Sequence, residues 1–185
     1  MTTLTPATAE RAGLSRSGLY RAAESGLLDR IARGIYLPAD APASDWDRIE
    51  AVTRRPEATI CLTSALAEHD LTDAIPAALD IAIPRGVRGP ATESAIAWHK
   101  FDAATFDLGR TMIAIPGTDL AIGLYYPERT IIDAFRLRGE TGYELGRDAL
   151  KEWLRRGGKP TGLLSLAELL PRAKGPILRA LEMLA

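Results

Sequence analysis

Pro6, Gly13, Gly26 and Gly34 divide the first 38 residues into pieces too short for anything but small helices and a tight hairpin. Thr5 followed by Pro6 reads as an N-cap and first helical residue, opening a short helix through Ala9 and Ala12 that stops at Gly13. Ser15 caps a second helix with Leu19, Ala22 and Ala23 on its inner side, and Gly26 closes it. Two apolar stretches, Leu27–Ile31 and Ile35–Leu37, are joined by Ala32-Arg33-Gly34, where Gly34 supplies the positive φ of a hairpin turn. Short helix, glycine turn, capped second helix and hairpin, in this order, predict a winged helix-turn-helix over residues 1–38.

In such a module the second helix enters the major groove, and its exposed N-terminal residues reach base edges. Here these are Ser15, Arg16, Ser17, Tyr20 and Arg21, of which 16, 17, 20 and 21 share one helical face. Arginine pairs bidentately with guanine, and Ser or Tyr hydroxyls hold phosphate oxygens. Arg30 and Arg33 fall on the hairpin, where a wing meets backbone or minor groove. Total charge argues little: the formal net charge is -1. Its distribution is uneven, with five arginines against three carboxylates in residues 1–38 and seven basic against thirteen acidic residues in 39–126. Residues 127–185 are again basic, eleven against eight, so DNA contact is expected to be local.

Residues 39–56 read as a linker, Pro38–Ala43, and a connecting helix through Trp46, Ile49 and Val52 with a capping box at Ser44 and Asp47. From residue 57 the pattern becomes mixed. Strands are expected at Thr59–Thr63, Leu79–Ile83, Ala95–Trp98, Thr111–Ile115 and Leu120–Tyr125, with a short helix at Ser64–His69 and a hairpin turn at Pro116-Gly117-Thr118-Asp119. After Pro127 the chain is helical, with stripes at Ile131, Ile132 and Phe135 and at Tyr143, Leu150, Trp153 and Leu154, then helices near 161–170 and 176–184. The fold class expected is α+β: the winged helix-turn-helix, then a mixed α/β C-terminal domain over 57–185 with a small sheet and a helical end.

Three stretches resemble one family. The first is Thr8–Ser15 leading into Gly26–Tyr36, with its Arg-Gly-Ile-Tyr wing. The second is Cys61-Leu62-Thr63-Ser64-Ala65-Leu66-Ala67-Glu68-His69-Asp70-Leu71 followed by Asp80–Pro84, and the third is Tyr126–Arg136. In this order they resemble the AbiEi-type antitoxins of bacterial toxin–antitoxin and phage-abortive systems. The resemblance implies a transcriptional autorepressor that binds double-stranded promoter DNA at inverted repeats, two copies meeting on the DNA. It also implies a C-terminal antitoxin domain that counters a nucleotidyltransferase-type toxin without requiring a stable complex. Domains of this family carry a helix ahead of the two read here, and only Met1–Leu4 precede Thr5. That helix is expected to be missing, replaced by Trp46–Val52, or lost through a start site placed too late.

Glu128, Arg129 and Asp133 are the candidates in the antitoxin domain. The two acids also suit a helix N-terminus, and Arg129 can pair with Asp133 at i,i+4. Arg155, Arg156 and Lys159 suit a helix C-terminus or a nucleic-acid contact. Two further function classes draw on other residues. One is an interaction module that binds the toxin directly through 57–185. The other is a metal-dependent nuclease using Asp80, Glu93 and Lys100, disfavoured because Glu93 and Lys100 face opposite sides of an extended strand. A metal site would need Cys61, His69 and His99 to converge, and none has short ligand spacing. No Walker loop, dinucleotide glycine pattern or nucleophile elbow is present, so no cofactor and no enzymatic activity are expected. One cysteine, no apolar run near the ~20 residues of a membrane span and no signal-peptide pattern point to the cytoplasm.

Overall fold

A computed structural model describes residues 3–11, 13–40 and 45–184. The chain is α+β. Helix α1 (Pro6–Arg11) starts with a reciprocal cap: Thr8 N donates to Thr5 Oγ1 at 3.2 Å and Thr5 N donates to Thr8 Oγ1 at 2.7 Å. Helix α2 (Arg16–Glu24) is capped by Ser15, whose hydroxyl accepts from Gly18 N at 3.1 Å. Strands β1 (Leu28–Ala32) and β2 (Ile35–Pro38) pair antiparallel around Arg33-Gly34, with Gly34 at φ 76°. Leu4 bridges Tyr36 through two backbone hydrogen bonds of 2.9 Å, so the segment ahead of α1 is extended and lies against β2. Ala9, Leu19 and Tyr36 form the small core beneath α1 and α2.

The connecting helix α3 spans Trp46–Arg54. The expected linker and capping box fall partly on residues 41–44, and the expected α1 position Ala12 is residue 12; these lie outside the described residues. Asp45, not Ser44, precedes the first helical residue, and its side chain makes no cap hydrogen bond. A five-stranded mixed sheet follows, in the order β5 (Ile96–Phe101), β4 (Leu79–Pro84), β3 (Thr59–Ile60), β7 (Ala121–Tyr125), β6 (Arg110–Ala114). The β4–β5 and β3–β7 pairs are parallel; β3–β4 and β6–β7 are antiparallel.

The expected strand Thr59–Thr63 pairs only over Thr59–Ile60, and helix α4 (Leu62–Glu68) begins at once, with Leu62 at φ 45°. A short apolar run suits a buried helix start as well as a strand, which is why periodicity misplaces this boundary. At Gly123 a side chain would collide with Thr59 Oγ1 and Arg110 Nε. The bare backbone lets Arg110 cross the strand and donate to Thr59 at 2.7 Å.

Alternation gives the sheet two apolar faces. Ile60, Ile81, Ile83, Ile122 and Leu124 pack on Ile49 and Val52 of α3 and on Ile31, Ile35 and Leu37 of the hairpin. The hairpin therefore shares a core with the sheet. Cys61, Ala82, Phe101, Phe106 and Tyr125 line the opposite face. Beyond them lie α5 (Pro127–Arg136), α6 (Arg138–Thr141), α7 (Tyr143–Arg155), α8 (Pro160–Leu169) and α9 (Lys174–Leu184). Helix α5 is the hub, buried from Arg129 through Phe135. Ile131, Ile132 and Phe135 cluster with Leu66 of α4, Leu150 and Trp153 of α7, Leu163 of α8 and Ile177 of α9. None of the described helices is long and apolar enough to cross a membrane.

Candidate nucleic-acid interface

Ser15, Arg16, Ser17, Tyr20, Arg21, Arg30 and Arg33 are all solvent-exposed. The first five open α2 because Ser15 fixes the helix start and Leu19, with Ala23 packed partly buried beside it, anchors the inner side, leaving positions 16, 17, 20 and 21 outside. The Ser15 hydroxyl is committed to the cap and lies 3.1 Å from Ser17 Oγ. Arg21 Nε donates to Ser17 O at 3.4 Å, a long bond that leaves the guanidinium's terminal nitrogens uncommitted. Tyr20 stands edge-on to Tyr36, with centroids 6.3 Å apart, so its ring is braced by β2.

The hairpin arginines differ from those on α2. Glu93 Oε1 accepts from Arg33 N at 2.7 Å and from Arg30 Nη2 at 3.4 Å. Arg33 O in turn accepts from Arg54 Nη2 at 3.0 Å. Behind them Glu50, 0% exposed, accepts from Glu93 N at 3.1 Å and Ser94 N at 2.8 Å and lies 3.5 Å from Arg54. Burial pushes the Glu50 carboxyl up, but these backbone donors and Arg54 outweigh it and hold the group below its ordinary value of 4.5. Sequence reasoning missed this anchor, although a glutamate beside Ile49 on the buried stripe of α3 is its visible signal.

A lowered carboxyl stabilises the fold above the ordinary glutamate range, and the contribution disappears as pH falls through the folded-state value. Glu50→Gln is accordingly expected to lose about 1–2 kcal/mol at neutral pH. The gap from wild type should close below pH 4.5, as measured by urea unfolding at several pH values. A gap independent of pH would show that the carboxylate charge is not what anchors the hairpin.

In the second candidate set only two of three residues meet. Arg129, 0% exposed, donates from Nε to Asp133 Oδ2 at 2.7 Å and from Nη1 to the carbonyls of Thr105 and Leu108 at 2.8 and 2.5 Å. Its guanidinium lies 4.4 Å from the centroid of Tyr125, a cation–π contact. Asp133 Oδ1 accepts from Arg136 Nη1 at 2.6 Å. Burial pushes the Asp133 carboxyl up against the pull of both guanidiniums. Glu128 is half-buried and forms no ion pair among the described residues, so the cluster is Arg129–Asp133–Arg136. Asp133 lies in the interior of α5, not at its N-terminal end, and its partners are set by i,i+4 and i,i+3 spacing. Arg155 and Arg156 fold back on Glu152, both at 2.7 Å, and hold its carboxyl down at about 2.

The candidate hydrolytic groups do not assemble. Asp80 bonds His99 Nε2 at 2.9 Å and Ser64 N at 3.3 Å, whereas Glu93 serves the hairpin. Lys100 takes the opposite strand parity from His99, on the edge strand β5, and Glu93 lies before that strand begins. His69 Nε2 lies 2.7 Å from Tyr125 O, and Cys61 is buried with its thiol pushed well up, first by desolvation. Among the described residues no three His, Cys, Asp or Glu side chains are grouped to hold a metal ion.

The chain is similar in fold to the RV2827C protein of Mycobacterium tuberculosis, seen in a crystal structure, with a TM-score of 0.54 and 17% identity over 100% of this chain and 76% of that one. No curated protein sequence matches. The model of a family described as "Transcriptional regulator, AbiEi antitoxin" matches residues 2–39. Over its first helices and hairpin the chain is thus similar to the AbiEi antitoxin transcriptional regulators, the family that its wing pattern resembles.

Proposed function

We propose that the chain is an antitoxin and transcriptional autorepressor acting in the cytoplasm. It reads double-stranded promoter DNA through a winged helix-turn-helix over residues 1–38. Helix α2 is the recognition helix, the β1–β2 hairpin is the wing, and Leu4 paired to Tyr36 supplies the extended segment ahead of α1. Two copies occupy an inverted repeat. Residues 39–56 connect this unit to an antitoxin domain, 57–185, which counters a nucleotidyltransferase-type toxin and has no catalytic role of its own. The observation that carries the reading is the exposure of all seven expected contact residues on a Ser-capped helix and an anchored hairpin. Fluorescence anisotropy with the gene's own promoter and a scrambled duplex tests it. Preference for the promoter is expected, and equal affinity for both would sink the repressor reading.

The anchor makes a second expectation. Glu93 places a carboxylate beside the wing and 3.4 Å from Arg30, in an exposed pair whose side chains are 52% and 54% accessible. Such a pair is worth at most about 1 kcal/mol. Glu93→Gln keeps an acceptor for Arg33 N while removing the charge. DNA affinity should rise about two- to fivefold at low salt, with a steeper salt dependence as Arg30 turns to phosphate. Unchanged affinity would place Arg30 away from the DNA.

A further inference from the structure

On the far side of the sheet, a cavity of about 320 Å3 opens between the end of β4, β5, α5 and the turn joining α8 to α9. Its wall holds Arg85, Arg136 and Arg172 against Asp102 and Asp133. The carboxylates are already used. Asp102 Oδ1 accepts from Ala104 N at 2.9 Å, and Asp133 is shared between Arg129 and Arg136. Arg85 and Arg172 form no ion pair among the described residues. The third arginine is fixed: Arg136 Nε donates to Pro171 O at 2.9 Å and Nη1 to Asp133, leaving Nη2 without a protein acceptor among the described residues.

Three arginines from three separate segments border one hollow against two carboxylates, while the Lys100 side chain takes the other face of β5, so the hollow carries an excess of positive charge that favours an anion. Arg172 adds a second sign. It adopts φ 61°, a conformation that favours glycine, yet carries a long charged side chain into the wall. Backbone strain of this kind persists where the surroundings impose it and collects at ligand sites. Arg136 and Arg172 also border an adjoining hollow with Arg138, so the positive surface continues past a single phosphate.

From this arrangement we propose that the cavity binds a small phosphate-bearing anion of at least two negative charges. Arg136 is the pre-positioned donor, and Arg85 and Arg172 close around the phosphate oxygens. This site is separate from the DNA-reading face and does not depend on it.

Isothermal titration calorimetry of the full chain with inorganic phosphate, pyrophosphate and ADP is the test. Saturable binding is expected, tighter for pyrophosphate than for phosphate. Arg85→Ala and, separately, Arg172→Gly should each weaken it at least about tenfold. Arg172→Gly suits the local backbone, so loss of binding there reports charge rather than misfolding. Arg16→Ala/Arg21→Ala should leave phosphate binding intact. ADP binding tighter than pyrophosphate identifies an organic phosphate as the occupant; the reverse identifies the free anion. Absence of saturable binding at millimolar concentration, or equal binding by the pocket variants, overturns the proposal. So does a loss of duplex DNA affinity in Arg85→Ala matching that of Arg16→Ala/Arg21→Ala, because the pocket would then be part of a nucleic-acid surface.

Discussion

Replacing Arg16 and Arg21 together by alanine is expected to weaken binding to the gene's own promoter by about 100-fold or more. Both side chains are exposed on the face of α2 that Ser15 aims outward, and neither is held by a carboxylate among the described residues. A well-placed bidentate contact to a base is worth about 1–3 kcal/mol, so two lost contacts multiply to this range. Folding should be untouched, because the α2 anchor is Leu19 and the cap is Ser15, both unaltered. The salt dependence separates two roles. An arginine on a phosphate takes about one unit from the slope of log affinity against log salt, whereas one on a base edge takes specificity and little slope. Anisotropy at several salt concentrations, on promoter and scrambled duplex, gives both quantities. Equal promoter affinity for wild type and double variant would remove α2 as the recognition helix. Wild-type preference for the promoter lost only in Arg30→Ala/Arg33→Ala would move recognition to the hairpin.

The N-terminal elements were legible because their signals are local. Thr5, Gly13, Ser15, Gly26 and Gly34 each fix a helix start, a helix stop or a turn within a few residues, and the structure uses them so. The sheet was legible as strands but not as an order. Nothing short-range tells β3 to sit between β4 and β7, parallel to one and antiparallel to the other. The union of hairpin and sheet in one core was also hidden. It depends on Ile31 and Ile35 joining Ile81 and Ile122 in one cluster, and on Glu50 reaching Ser94, across separations that periodicity does not sample. The cationic cavity follows the same rule: Arg85 and Arg172 are 87 positions apart and become neighbours only through the fold. The Arg129–Asp133 pair was readable because i,i+4 spacing makes it, whereas its burial and the cooperation of Arg136 were not.

That burial sets the largest expected change in stability. Asp133→Ala should cost about 3–5 kcal/mol, because it leaves the fully buried Arg129 guanidinium with no counter-charge. For a chain of this size the fall in Tm is roughly 10 °C or more. Arg129 would retain the carbonyls of Thr105 and Leu108 and the ring of Tyr125, which orient the cation but do not neutralise it. Arg136 would lose one of its two anchors and keep Pro171 O, so the wall of the cavity would loosen as well. The cost belongs to the orphaned charge, not to the pair as such. Replacing both partners by apolar groups of similar size, Arg129→Met/Asp133→Leu, should therefore recover most of the lost stability. Urea unfolding of the wild type, Asp133→Ala and the double variant separates the two effects. A double variant as unstable as Asp133→Ala would show that the hydrogen bonds to Thr105 and Leu108, which fasten the segment before β6 to α5, carry the stability. A loss under 1 kcal/mol in Asp133→Ala would mean that the α5 hub relaxes enough to let water reach Arg129.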